Sequence, residues 1–288
     1  METEESLIRA WVTGAGGLIG HCLADTLDPR SAKFKIIPLT RPMLDLTDFA
    51  AVEKRFRADR PGLVLHCAAM TKVPDCQANP SLAGKINVEA TAHLAGLAAE
   101  AGFVFFSTDL VFDGSKGDYV ETDAINPLSI YAETKARAEQ IVLTNPRHTV
   151  VRTSLNSGAS PRGAGAYNEQ MQASWKNGKA LSLFTDEFRC PIPASVTARA
   201  VWELAAGHCT GLYHLAGTER LSRAAIGELA AARHPESKPR IELCSLRDYQ
   251  GPPRPPDTSM DCSKIQKLLS FPLPGLKQYL CDHPEEPF

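Results

Sequence analysis

The sequence lacks an excess of charge of either sign: 31 Lys and Arg stand against 33 Asp and Glu, a formal net charge of −2. Nothing in that balance draws the chain to nucleic acid or to an anionic membrane surface. No apolar run approaches the roughly 18 residues of a membrane span. The first residues, METEESLIRAW, are acidic and lack the basic-then-apolar layout of a secretory leader. The eight cysteines (22, 67, 76, 190, 209, 244, 262 and 281) include no Cys-x-x-Cys. Scattered through 288 residues, they read as buried free thiols rather than a disulfide framework. His66, His93, His208 and His214 have no His-x-x-x-His companion, which argues against zinc. Nothing repeats at a fixed period. The expectation is a cytoplasmic globular protein without metal, nucleic acid or membrane partner.

What is present is an alternation. Apolar stretches at 7–12, 34–39, 63–69, 103–108 and 148–154 read as strands. Helical patterns fall between them at 18–27, 48–58, 87–102 and 129–143. Strands alternating with helices of roughly 10–15 residues imply βαβ units and a parallel sheet. The predicted class is α/β, a Rossmann-type doubly wound sheet over about 1–152, with segments near 190–217 returning to it. Residues 153–288 supply mainly a smaller substrate-binding portion. That portion opens on a glycine-rich loop, NSGASPRGAGAYN, and carries helical patterns at 168–177, 193–206 and 223–234 with a strand at 211–217.

TGAGGLIG sets Gly14, Gly17 and Gly20 three apart, between the first strand and the first helix. Glycine there permits a tight turn and lets backbone N–H groups meet a pyrophosphate at the helix start. Leu18 and Ile19 complete the turn. A chain that prefers NAD carries an acid about 20 residues further on. The second strand instead ends Leu39-Thr40-Arg41, and the Arg41 fork suits a 2′-phosphate. NADPH is therefore expected ahead of NADH. Asp45 and Leu46 are placed for a polar contact and an apolar edge against the adenine.

Ligands of open parallel sheets bind outside the carboxyl ends of the strands. Three strands end there in Cys67-Ala68-Ala69, Ser107-Thr108-Asp109 and Arg152-Thr153-Ser154. The small residues at 68 and 69 allow a cofactor to lie close to the backbone, and Cys67 reads as a small buried residue rather than a nucleophile. Tyr131 and Lys135 lie four apart in SIYAETK, so a helix sets them on one face. Reduction of a ketone needs a proton donor for the carbonyl oxygen. A free phenol, with a pKa of about 10, is reluctant. A nearby ammonium favours the phenolate and lowers that value, while Thr108 orients the same oxygen. Asp109 and Asp113 read as turn and capping groups beside Gly114. Arg189 and Arg254 are candidate diphosphate or nucleobase contacts, and Lys176 and Lys179 are weaker ones.

With TGAGGLIG, LDLTD, HCAA, FFSTDLVFDG, NPLSIYAETK, VVRTS and RPPDTSMDCSK in this order, the chain resembles the extended short-chain dehydrogenase/reductase family. More narrowly it is similar to the dTDP-4-dehydrorhamnose reductase branch. The resemblance implies Tyr131 as proton donor, Lys135 as its partner and Thr108 as support. It also implies NADPH-dependent reduction of a 4-keto group on a nucleotide-activated deoxysugar. The sugar side would be lined by Asp109, Leu110 and Leu155. The branch usually has tyrosine at the second of these positions and tryptophan at the third. No acid in the first loop matches the one behind a metal-linked dimer in some members, so no metal is expected, and a homodimer is compatible with the sequence. The chain is also similar to the regulatory β subunit of methionine adenosyltransferase, which implies the alternative of a non-catalytic NADP-binding partner of another enzyme.

Overall fold

The structure is a computed structural model of the chain; it describes residues 7–25, 28–163 and 165–288. The first six residues of the acidic N-terminus, the end of the expected first helix at 26–27 and Ala164 of the glycine-rich loop lie outside the described residues.

Six strands form one parallel sheet: β1 (Ile8–Thr13), β2 (Phe34–Leu39), β3 (Leu63–His66), β4 (Gly102–Thr108), β5 (His148–Thr153) and β6 (Gly211–Leu215). Their spatial order is β6-β5-β4-β3-β1-β2. The winding therefore reverses between β1 and β3, where a crevice opens at the carboxyl ends.

Both faces of this sheet are covered, so its inner strands carry apolar residues without a polar side. Successive residues point to opposite faces. Ala10, Val12, Leu63, Leu65, Val104, Phe106 and Val151 pack on one side with Val201, Trp202 and Leu204 of the helix Ala194–Ala206. Trp11, Val64, Phe103, Phe105 and Val150 pack on the other, against Val52, Leu94, Ala138 and Val142. Those residues come from the helices Phe49–Asp59, Ala90–Leu97 and Ile130–Val142.

Two elements differ from the pattern in the sequence. The apolar run LVLHCAA leaves the sheet after His66, because Ala68 must lie against Gly14. A Cβ on Gly14 would stand 2.7 Å from the Ala68 nitrogen. The alanine-rich helix is not regular either. Pro80 opens it, and it widens into one π-type turn at Lys85–Glu89 before the regular segment Ala90–Leu97. Such turns are frequent at functional sites.

Beyond β5 the chain builds the helix Tyr167–Lys176, the helix Arg223–Arg233 and short strand pairs. A third apolar cluster, with Met171, Trp175, Leu183, Leu221 and Ile226, holds them together. No helix among the described residues is long and apolar enough to cross a membrane.

Candidate active site

The glycine turn stands at the reversal of the sheet. Gly14 has φ +69°, a conformation that costs an L side chain strain. Its carbonyl accepts from Gly17 N–H at 2.8 Å, and a Cβ on Gly20 would run into that same carbonyl. No side chain caps Gly17, so the first N–H groups of the helix Leu18–Ala24 have no side-chain acceptor. Leu18 is buried and Ile19 packs on the sheet core. Across the crevice Cys67, Ala68 and Ala69 are half-buried. Beyond β2, Arg41 is 77% exposed and 3.9 Å from Asp45. The Asp45 carboxylate accepts from the backbone and hydroxyl of Thr47, which holds its pKa below the ordinary value. Leu46 packs against the core under it.

The helix Ile130–Val142 starts where Ser129 accepts from Ala132 N–H. Tyr131 and Lys135, one turn apart, both turn inward at 9% and 3% exposure. Burial pushes the Tyr131 phenol up, Asp109 and Cys76 add to that, and the Thr108 hydroxyl pulls it down. Burial takes Lys135 down to about 7, with the Glu139 carboxylate acting in the opposite direction. The phenol is therefore raised here, not lowered as the sequence suggests. Both groups are dry, and loss of hydration is the largest cause at each.

Two buried attachments fix this helix. Arg152 of β5 grips Glu139 through Nε at 3.0 and 3.2 Å and Nη2 at 2.8 Å. On the other side runs a chain of hydrogen bonds whose direction can be read. Thr91 donates to the Asn87 carbonyl at 2.8 Å, so at 3.0 Å it must accept from His66 Nε2. His66 Nδ1 then accepts from the Thr13 hydroxyl at 2.7 Å. The imidazole is neutral, with its pKa pushed down to about 3 by burial first and the Lys135 charge second. Asn87, in the wide turn, donates to Thr134, which donates to the Tyr131 carbonyl.

Leu110 packs beside Tyr131 with Met70, Val73 and Ile130, whereas Leu155 lies in the third apolar cluster. Asp109 is a hub. Its Oδ2 accepts from Ser154 at 2.7 Å, Thr258 at 3.0 Å and Arg189 at 3.2 Å. Arg189 also reaches Glu187 at 3.1 Å, and Arg254 meets the same carboxylate at 2.7 Å. Arg223, which nothing in the sequence singles out, shares this neighbourhood. Its guanidinium lies 5.9 Å from the Tyr167 ring centroid and pairs with no carboxylate among the described residues. Nor does any group of three His, Cys, Asp or Glu among them stand ready to hold a metal ion.

A parallel sheet with a glycine turn at its switch point and an inward Tyr–Lys pair defines a Rossmann-fold protein of the short-chain reductase type. Comparison narrows the class. The chain belongs to the RmlD substrate binding domain family, whose model matches residues 8–284. It is 30% identical over 281 residues to a dTDP-4-dehydrorhamnose reductase of Aggregatibacter actinomycetemcomitans, covering 92% of this chain and 94% of that protein. It is 28% identical over 279 residues to methionine adenosyltransferase 2 subunit beta of Xenopus laevis, covering 90% and 82%. A solved dTDP-4-dehydrorhamnose reductase of Bacillus anthracis, in complex with NADP, has the same fold. Its TM-score is 0.83 at 24% identity, over 96% of this chain and 99% of that one.

Proposed function

We propose that the protein uses NADPH to reduce a 4-keto group on a nucleotide-activated deoxysugar, as a dTDP-4-dehydrorhamnose reductase does. One observation carries this reading: Tyr131 and Lys135 share a buried helix face at the carboxyl end of β4, the strand that ends in Thr108.

The turn fits a dinucleotide cradle, since only glycine at 14 and 20 lets the loop close against the Ala68 and Gly14 backbone at the reversal of the sheet. Gly14, Gly17, Leu18, Ile19 and Gly20 would hold the pyrophosphate side, and Cys67, Ala68 and Ala69 the nicotinamide side. Arg41, Asp45 and Leu46 would hold the adenosine end, with Arg41 favouring the 2′-phosphate over NADH. When bound, the nicotinamide supplies hydride to the carbonyl carbon. The Tyr131 hydroxyl, kept protonated by burial, gives its proton to the oxygen as negative charge develops there. Thr108 orients that hydroxyl. The Lys135 ammonium stabilises the phenolate left behind and holds a ribose hydroxyl.

On the substrate side Arg189, Arg223 and Arg254 face two carboxylates, Asp109 and Glu187. Three positive charges against two leave a surplus that suits a diphosphate. Leu110 and Leu155 would border the sugar. In this reading residues 1–152, with the returning 190–217, serve the dinucleotide and the rest of 153–288 serves the substrate. The protein acts in the cytoplasm on a small molecule, without metal, nucleic acid or membrane, and a homodimer is compatible with it.

The similarity to a methionine adenosyltransferase β subunit along 90% of the chain favours a second reading, a non-catalytic NADP-binding regulatory subunit. The purified protein is mixed with NADPH and a panel of 4-keto nucleotide sugars, and nicotinamide absorbance is followed. Consumption is expected, falling roughly 10²–10⁴-fold in Tyr131→Phe with NADPH affinity nearly unchanged. Tight NADPH binding without consumption of any substrate would select the regulatory reading.

A further inference from the structure

The ammonium of Lys135 lies 3.9 Å from the ring centroid of Phe105, and both residues are buried, at 3% and 0% exposure. A charge shut away from water requires a partner, and the usual one is an anion. Here the Glu139 carboxylate, one turn further along the same helix, favours the charged form, but it is engaged by Arg152 in a bidentate ion pair, and among the described residues no carboxylate pairs with Lys135 directly.

The other titratable groups facing Lys135 add no compensating charge. His66, at the end of β3, is neutral because burial, and after it the Lys135 charge, disfavours its imidazolium, and Thr13 and Thr91 hold the neutral ring. Burial holds Cys67 as the thiol. Asp109 and Cys76, from the segments at the start of the helix, act on Tyr131. Lys85 and Glu89 of the wide turn are exposed. β4, directly beneath, brings no titratable side chain at all. What β4 does bring is an aromatic face, and such a face attracts a cation most strongly when both are desolvated. The alternation of the strand delivers it. Phe103 and Phe105 point to the side of the tyrosine helix, and only Phe105 lies under the ammonium.

We propose that the ring face of Phe105 is the group that keeps the Lys135 ammonium charged inside the dry crevice, which makes Phe105 a positioning residue for the Tyr131–Lys135 pair. The turnover consequence rests on the reductase reading above; the effect on Lys135 does not. An aliphatic side chain would fill the same core volume, but it would leave the ammonium only the charge of Glu139, which Arg152 already engages, and Lys135 would lose its proton at lower pH.

The test replaces Phe105 by mono-, di- and trifluorinated phenylalanine, which keep the ring's shape while draining its negative face. In the ligand-free protein, Lys135 is titrated through its ¹³Cε NMR signal. The midpoint is expected to fall stepwise with each fluorine, by on the order of one pH unit across the series. Phe105→Leu should lower it in the same direction. A midpoint that stays put while fluorine is added overturns the proposal. A second readout is the alkaline limb of kcat for reduction, expected to move with the midpoint. If the NMR midpoint shifts and the limb does not, the Phe105–Lys135 coupling stands and the role given to Lys135 in turnover falls.

Discussion

The Asn87 side chain donates to the Thr134 hydroxyl at 3.0 Å, across 47 residues of sequence, and so couples the wide turn to the tyrosine helix. The same amide clamps the loop after β3. Its oxygen accepts from Met70 N–H at 2.8 Å, and its nitrogen donates to the Met70 carbonyl at 3.0 Å. One buried side chain thus ties the loop after Ala68-Ala69 to the helix that carries Tyr131.

Asn87→Ala should show this in two measurements. It leaves the half-buried Met70 N–H without its acceptor and the Met70 carbonyl with only the Cys76 thiol, which costs about 1–3 kcal/mol of stability. Urea unfolding should register that loss. Steady-state kinetics should register a fall in kcat larger than any change in NADPH affinity, because the tyrosine helix loses its register while the glycine turn is untouched. Loss of stability with kcat intact would reduce Asn87 to a packing residue.

Gly14→Ala tests the cradle. The residue sits at φ +69°, and its new Cβ would meet the Ala68 backbone, which cannot swing aside as a flexible side chain does. The left-handed conformation alone costs roughly 1–2 kcal/mol. NADPH binding, followed by isothermal titration calorimetry, should fall below detection at concentrations that saturate the wild type. Undiminished binding would take the glycine turn out of the cofactor site.

The sheet and this turn were legible because both follow from local rules. Buried parallel strands read as apolar runs, and a glycine triplet between strand and helix has few other uses. The end of β3 was not legible. Ala68 is as apolar as the residues before it, and only its approach to Gly14, more than fifty positions earlier, removes it from the ladder. His66 was visible as a strand-end histidine without a metal motif. Its partners Thr13 and Thr91 lie 53 and 25 residues away, so no spacing could announce the relay. The arginines show the same limit. Arg189 and Arg254 stand out in polar, proline-rich surroundings, yet both are held by Glu187. The cation left over is Arg223, which the sequence presents as the ordinary first residue of a helix.

The His66 relay carries a pH signature. Its folded pKa is pushed down to about 3 from an ordinary value of 6.5. Between those values the unfolded chain binds the extra proton, so this group's contribution to stability grows as pH rises and is lost as pH falls from 6.5 toward 3. The slope from one such proton approaches ~1.4 kcal/mol per pH unit. Lys135 acts in the same sense higher up, adding stability to the ligand-free protein as pH rises from about 7 to 10.5. Urea midpoints measured from pH 4 to 7 should therefore climb more steeply for the wild type than for His66→Gln. Parallel curves would mean that the imidazole titrates normally.

Arg223 provides the test of the substrate side. Burial works against its charge and so do Arg189 and Arg254, with Glu187 in the opposite direction. Glu187 is already shared by Arg189 and Arg254, so Arg223 is the guanidinium with capacity left for a ligand. Two neighbouring phosphates would relieve that surplus, and the gain would be present before and during the reaction alike. Removing such uniform binding raises KM and spares kcat. Arg223→Met, which keeps the length and apolar body of the side chain, should raise the KM for a 4-keto nucleotide sugar at least tenfold. Its kcat and its NADPH affinity should stay within a few-fold of the wild type. Arg223→Lys should recover part of the loss as a point charge without the fork. A variant that lowers kcat at unchanged KM would place Arg223 among the groups acting on the transition state, and the diphosphate assignment would have to be withdrawn.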